Sequence, residues 1–469
     1  MKETDRQENE KQLVYLEQAK ELVSVFSEKL GHKATAAVIT FGCQMNARDS
    51  EKLIGILTKA GFDMIEEESA DFVVYNTCTV RDNANQKLYG RLGVAGGFKK
   101  RNPLMKIALC GCMMQEEVAV HKIRESYRFV DLVFGTHNLF KFPELLVQTL
   151  SQDGMIIDVW EKTDRIVEDL PIERKYPFKS GVNIMFGCDN FCTYCIVPYV
   201  RGRERSREAR DIIREVERLA DDGVVEVMLL GQNVNSYGKG LENAPSFAEL
   251  LQEVSQVKGI ERIRFMTSHP KDLSEDLIQV MKHNDKICRH LHLPLQSGSD
   301  RILKAMNRRY TRDRYMELAL HIREEIPDIA LTTDIMMGFP GETVEDIEDT
   351  LDVIRRVGFD NAFTFIYSKR TGTPAATMPD QVSDEFVKEQ FDRILKLVQE
   401  TARSQVARYQ GQVMNALIEE MNDHDPGLVT GRLSNNTIVH IPGTADMIGS
   451  IRPVKLDECH GFYYTGSLA

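Results

Sequence analysis

The chain has 469 residues, 42% hydrophobic and 28% charged, the balance of a soluble globular protein of about two to four domains at roughly 100–200 residues each. No apolar run approaches the ~18 residues that span a membrane, and a formal net charge of −12 argues against a whole-surface nucleic-acid binder while leaving room for a local basic face. Nine cysteines without an export signal read as reduced thiols, metal ligands or core residues rather than a disulfide framework, and place the protein in the cytoplasm.

Residues 1–33 are charged and helix-prone, an N-terminal helical extension. Leu13, Leu16, Leu22, Val23, Phe26 and Leu30 supply an apolar stripe. The stripe predicts a helix packed on the next domain rather than one that binds a partner. Over 34–150, strands at 36–41, 72–75 and 107–109 alternate with helices at 48–60, 83–90 and 115–124, an order that implies a parallel α/β sheet domain. Residues 151–173 form a connector. A second β/α series fills 174–404, with strands at 182–186, 225–230, 263–266, 291–295, 329–336 and 362–367. Six units are fewer than the eight of a closed barrel, so an incomplete (β/α)6 barrel is expected. Over 405–469, short runs at 413–419, 428–432, 437–440 and 462–464 between glycine and proline turns predict a small all-β barrel.

The segment FGCDNFCTYC closes the first strand of the second series and places Cys188, Cys192 and Cys195 in a CxxxCxxC spacing. Three thiolates this close can ligate three irons of a cubane cluster. The fourth iron then has no protein ligand, and an open position is what a metal needs to act on a bound molecule. A structural zinc site would need a fourth ligand, and no Cys or His follows within the next few residues.

Cys43, Cys78 and Cys112 each follow one of the first domain's predicted strands. Strand ends of a parallel sheet share one edge, so these thiols either converge as ligands or are ordinary core cysteines. Cys110 reads as part of its strand, and Cys288 and Cys459 as core residues.

CxxxCxxC on the first strand of an incomplete barrel resembles the radical S-adenosylmethionine (SAM) superfamily. TFGCQMN at 40–46, NTC at 76–78 and GCMMQ at 111–115 resemble the amino-terminal domain of the methylthiotransferases, and GRLSNNTIV at 431–439 resembles a TRAM domain. The methylthiotransferase family joins these three parts in this order, and the likeness covers the chain from Ala34 onward. It implies two [4Fe–4S] clusters, one on Cys188, Cys192 and Cys195 with SAM at its open iron, the other on Cys43, Cys78 and Cys112. It also implies that Tyr194 lies against the adenine of SAM, the methyl donor and radical source.

The family's branches modify dimethylallyl-adenosine beside the tRNA anticodon (the MiaB type), threonylcarbamoyl-adenosine in tRNA, or an aspartate of a ribosomal protein. Gln44, Met45 and Asn46 after Cys43, with NTCTVRDNANQKLYGRLG at 76–93, resemble the first branch. That resemblance implies methylthiolation of carbon 2 of N6-dimethylallyladenosine at position 37 of tRNA. A non-catalytic iron–sulfur RNA-binding protein is the alternative of another class. The implied partners are the anticodon stem-loop and an electron donor such as flavodoxin or ferredoxin, with the chain acting as a monomer away from membranes.

GQNVNSYG at 231–238, SHP at 268–270, LPLQSGS at 293–299 and GFPGET at 338–343 follow successive predicted strands. Each taken alone also reads as an ordinary βα turn. Together they nominate Gln232, Asn233, Ser268, Gln296 and Gly338 as SAM contacts. Arg201, Arg203, Arg205 and Arg207, just beyond the catalytic cysteines, are candidates for tRNA phosphate, as is Arg432. The alternative for the run is a solvated helix start beside Glu204 and Glu208.

Overall fold

The computed structural model describes residues 3–79 and 82–469, which fall into two compact units. The first comprises 3–79 and 82–175 with 185–189 and 195–211; the second comprises 176–184, 190–194 and 212–469.

The first unit is built on a parallel sheet. Among the described residues its strand order is Asp63–Met64, Thr35–Thr40, Phe72–Thr77, Lys106–Gly111, Leu132–Phe134, Ile156–Asp158. Phe72–Thr77 is buried at every position because helices cover both faces of the sheet. On one face Leu53, Ile56 and Leu57 of the helix Gln44–Ala60 pack with Phe72, Val74 and Phe134. On the other, Leu88 and Leu92 of the helix Asp82–Arg101 pack with Val73, Tyr75 and Ile107. Alternate residues of one strand thus feed two cores.

Asp63–Met64, Leu132–Phe134 and Ile156–Asp158 are not among the strands expected from sequence. They are two or three residues long, too short to carry a periodic signal. Ile156–Asp158 lies within the stretch read as connector, so the sheet continues past residue 150. Val80 and Arg81 of the 76–93 motif lie outside the described residues.

The helix Glu3–Leu30 is docked on this unit. Leu16, Ala19, Val23 and Phe26 enter the core under Gln44–Ala60, while Leu13 is 39% exposed. Gln12, fully buried, donates from Nε2 to Glu144 (3.3 Å) and accepts from its backbone N–H (3.2 Å).

In the second unit, strands Lys179–Asn183, Glu226–Leu230 and Arg262–Phe265 form one parallel sheet, and His290–His292, Ala330–Met337 and Asn361–Ile366 another. A parallel bridge between Ile263 and Ile287 links them. Among the described residues this makes six parallel strands in chain order, the incomplete barrel expected. Met185–Phe186, expected as the end of the first of these strands, instead pairs antiparallel with Arg205–Ser206 in the first unit.

The carboxyl-terminal strands close into a barrel in the order Val413–Met421, Leu428–Leu433, Ile438–Pro442, Tyr463–Leu468, Ile451–Cys459. Ile451–Cys459 escaped the sequence reading because it carries Pro453 and the charges Arg452, Lys455, Asp457 and Glu458. Arg264, held by Glu226 at 3.0 Å, donates to the carbonyls of Leu433 (2.7 Å) and Ser434 (3.1 Å). Arg262 donates to the carbonyl of Arg432 (2.9 Å). A buried ion pair therefore anchors this barrel to the parallel strands.

Phe26→Ala removes a buried ring and is expected to lower stability by about 3 kcal/mol. Leu13→Ala at the exposed position of the same helix should cost less than about 0.5 kcal/mol. Denaturant unfolding of the two variants checks whether the helix is docked through this stripe.

Candidate metal and cofactor site

Sheet register decides where the first domain's cysteines meet. Thr40 lies opposite Asn76, and Asn76 opposite Cys110, so the three chains leave the sheet side by side. Gly111 (φ 96°) turns the third strand sharply; a Cβ there would stand 2.3 Å from the Thr77 carbonyl oxygen. Gly42 (φ 143°) lets the first loop approach the second; its Cβ would meet that of Cys78 at 2.8 Å. Asn46 and Asn76 clamp the loops. Asn46 Nδ2 donates to the Thr77 carbonyl (3.0 Å), and Asn76 Nδ2 donates to the Asn46 carbonyl (2.8 Å) and to Ser50 Oγ (3.0 Å). Both asparagines are fully buried.

The thiols follow from this frame. Cys43 is exposed, its Sγ donating to Asn46 Oδ1 at 3.3 Å, whereas Cys78 and Cys112 are buried. Burial pushes the Cys112 thiol up to about 11, Arg201 draws it down, and the neighbouring Cys78 and Cys43 push it up again. The three cysteines are therefore electrostatic neighbours. Cys110 stays in its strand, fully buried. All nine cysteines are among the described residues and none is in a disulfide. Among the described residues no three Cys, His, Asp or Glu side chains are set as ligands of one metal ion. A cubane cluster asks for something different, one thiolate on each of three irons, and three neighbouring thiols with one free corner suit it.

The arginine run corrects the sequence expectation. Arg201 is 6% exposed and does not face solvent: its Nη1 donates to Asp49 (2.8 Å) and its Nε to Cys112 Sγ (3.2 Å). Arg207 is equally buried, with two guanidinium nitrogens on Glu168 at 2.7 and 2.6 Å. Arg205 is half-buried and donates to the Thr163 carbonyl. Arg203 is exposed beside Asp189 (3.1 Å). Arg432 pairs with Glu419 at 3.1 Å and keeps 28% of its side chain exposed.

In the second unit, the loop around Cys192 is held by a turn the sequence reading did not single out. Thr193 N–H donates to the Met306 carbonyl (3.1 Å) and its hydroxyl to the Ala305 carbonyl (2.9 Å). Asn307 Nδ2 donates to the carbonyls of Asn190 (3.1 Å) and Phe191 (3.0 Å). Arg308 is buried; its Nη1 lies 3.6 Å from Cys192 Sγ and its Nη2 donates to the Pro294 carbonyl (2.9 Å). The only local signal was a polar N-R-R-Y run after a helix. Phe191, Thr267, Gln296 and Asn307 all adopt left-handed backbone (φ 48°, 67°, 71° and 57°), strain of the kind that gathers at functional sites.

The nominated SAM contacts divide by what they already hold. Asn233 is buried, its amide shared between Asp272 (2.8 Å) and the His269 N–H (3.2 Å). Gln296 is buried and bridges strands through its backbone, N–H to Asp334 and carbonyl from Met336. Ser268 is buried with a hydroxyl that has no hydrogen-bond partner among the described residues, an orphaned polar group that fits a ligand. Tyr194 packs beside Met306 and Phe339, and Gln232 is half-buried just after its strand. Gly338 (φ 76°) leaves no room for a Cβ against Val387, at 2.7 Å, and its N–H donates to Glu342 (2.6 Å).

Burial pushes the Glu342 carboxyl up to about 8. An acid whose pKa rises on folding stabilises the fold below its ordinary carboxylate range and loses that contribution as pH rises through the folded value. Glu342→Gln keeps the acceptor for Gly338 and removes the titration. Thermal unfolding should show wild type losing ground to the variant as pH climbs from about 4.5 to about 8; parallel profiles would contradict this assignment.

Known families match the same three regions: the Radical SAM superfamily at residues 182–354, Uncharacterized protein family UPF0004 at 35–135, and the TRAM domain at 407–469. A tRNA-2-methylthio-N(6)-dimethylallyladenosine synthase of Lachnoclostridium phytofermentans is 59% identical over 446 residues, covering 95% of this chain and 98% of the relative. One from Acetivibrio thermocellus is 50% identical over 465 residues, covering 98% and 96%. Among solved structures, the radical S-adenosylmethionine methyltransferase TsrM from Kitasatospora setae shares the fold with a TM-score of 0.53 at 13% identity, over 73% of this chain and 75% of that one. The chain belongs to the family of tRNA-2-methylthio-N(6)-dimethylallyladenosine synthases within the radical SAM superfamily.

Proposed function

We propose that the chain replaces the hydrogen on carbon 2 of N6-dimethylallyladenosine, at position 37 of tRNA beside the anticodon, with a methylthio group. The observation that carries this reading is the pair of cysteine constellations. A radical enzyme that only abstracts hydrogen needs one cluster; one that also inserts sulfur needs a second place to hold it. The edge bearing Cys43, Cys78 and Cys112 supports that place. The names of the relatives supply the substrate and disfavour threonylcarbamoyl-adenosine or a ribosomal-protein aspartate.

Carbon 2 of adenine bears an unactivated hydrogen that neither a base nor an ordinary nucleophile displaces. When bound, SAM and the two clusters supply a carbon radical, the sulfur and its methyl group. Cys188, Cys192 and Cys195 would hold one cluster with a corner open to SAM, and Cys43, Cys78 and Cys112 the other. Tyr194 offers its ring to the adenine of SAM. Ser268 offers the unfilled hydroxyl, and Gln232, Gln296 and Gly338 line the strand ends around it. Asn233 orients this rim through Asp272 and His269 rather than reaching for the ligand.

Toward tRNA, Arg203 is the exposed member of the run, and Arg432 retains an open edge. Phe462 and Tyr463, 47% and 38% exposed, can stack on unpaired bases, whereas Tyr464 is core. Among the described residues no helix is long and apolar enough to cross a membrane. The reading is completed by a monomer working in the cytoplasm with an electron donor of the flavodoxin or ferredoxin kind. It divides the chain into a helical extension at 1–33, a sulfur-carrying domain from 34, a radical SAM core from 174 and an RNA-binding barrel from 405.

Nucleoside mass spectrometry of tRNA from cells lacking this protein should show 2-methylthio-N6-dimethylallyladenosine replaced by its unmodified precursor; undiminished product refutes the reading. The two cysteine sets should also separate in purified protein. Cys192→Ala should abolish SAM cleavage, whereas Cys112→Ala should still form 5′-deoxyadenosine and yield no methylthiolated product. Equal loss of cleavage in both would contradict separate roles.

A further inference from the structure

Arg201 follows the CxxxCxxC triplet by six residues, yet its side chain is spent inside the first unit. Ile196 and Val200 pack against Cys112, and the Thr136 hydroxyl donates to the Val200 carbonyl (2.6 Å). This packing fixes the guanidinium at the cysteine edge. One nitrogen engages the buried Asp49 at 2.8 Å, a second lies 3.2 Å from Cys112 Sγ, and the third, Nη2, is buried without a hydrogen-bond partner among the described residues. Asp49 balances one positive charge while the thiols are neutral. Three ionised thiolates around a cluster add negative charge in a buried place, where it is costly unless a cation and hydrogen bonds face it. Arg201 carries both, with one donor still unfilled.

We propose that Arg201 is the counter-ion and sulfur hydrogen-bond donor of the second cluster, oriented by Asp49, and that it sets how readily that cluster accepts an electron. The inference rests on the reading that Cys43, Cys78 and Cys112 hold that cluster. Hydrogen bonds to ligand sulfur and nearby positive charge favour the reduced, more negative state and raise the reduction potential. Arg201 is a positioning residue: it acts through Cys112 and touches no substrate. An Arg at this point is not interchangeable with Lys, because the planar fork serves the carboxylate and the sulfur together.

The test uses the full chain carrying C188A, C192A and C195A, anaerobically reconstituted so that the second cluster is observed alone. Iron content and an EPR-monitored redox titration are read for this parent and for added Arg201→Met, Arg201→Lys and Asp49→Asn. Arg201→Met removes the cation, so the midpoint should move to a more negative potential and less iron should be retained. Asp49→Asn removes the opposing charge and leaves the arginine, so the midpoint should move the other way. Arg201→Lys should restore part of the shift seen with methionine. A cluster in the parent whose potential is unmoved by Arg201→Met and Asp49→Asn, or moved in the same direction by both, overturns the inference. A parent that binds no cluster overturns the underlying reading instead. Should Arg201→Met fail to fold, the opposite signs expected of Arg201→Lys and Asp49→Asn decide the matter.

Discussion

Every strand of a parallel sheet delivers its carboxyl end to the same edge, and this chain uses that constraint to bring together cysteines that are remote in sequence. Cys43 and Cys78 are 35 residues apart (78 − 43), and Cys78 and Cys112 are 34 apart (112 − 78). The register that sets Thr40, Asn76 and Cys110 in line makes them neighbours. The surrounding residues serve that edge. Gly42 and Gly111 clear space for close loops, the Asn46–Asn76 clamp fixes their spacing, and Arg201 supplies charge. Burial raises the Cys112 pKa, so that thiol is a poor nucleophile by itself; a metal that displaces its proton would put it to use.

The partial barrel applies the same rule to a second task. Its strands end on a rim where backbone strain at Thr267 and Gln296 is tolerated because ladder hydrogen bonds on either side overdetermine the chain. Asn307 and Arg308 brace the Cys192 loop from behind through hydrogen bonds to its backbone and a contact with its sulfur. Glu226, Arg262 and Arg264 couple the same strands to the terminal barrel through buried charge, a link that is costly to break because any one partner removed leaves another unpaired.

Much of this was legible in the amino-acid sequence where the signal is local. CxxxCxxC, the β/α alternation and the count of six barrel strands come from spacing and period. Short strands such as Leu132–Phe134 and Ile156–Asp158 were not legible, because pairing, not propensity, makes them strands. Arg201 and Arg207 misled for a related reason. Four arginines at alternate positions look like a solvated, phosphate-seeking face, but Asp49 and Glu168, which receive Arg201 and Arg207, lie 152 and 39 residues away. No local pattern announces partners at that distance. Ser268 was nominated on position alone, and its unfilled hydroxyl is a property that only packing reveals.

The central claim is that one chain carries two cubane clusters of different character, one with an iron open to SAM and one seated on the cysteine edge of the first domain. EPR of the anaerobically reconstituted, reduced protein tests it most directly. The account predicts iron for two cubane clusters per chain and two overlapping signals, of which one changes on addition of SAM and the other does not. A single signal, or two that both ignore SAM, would contradict it.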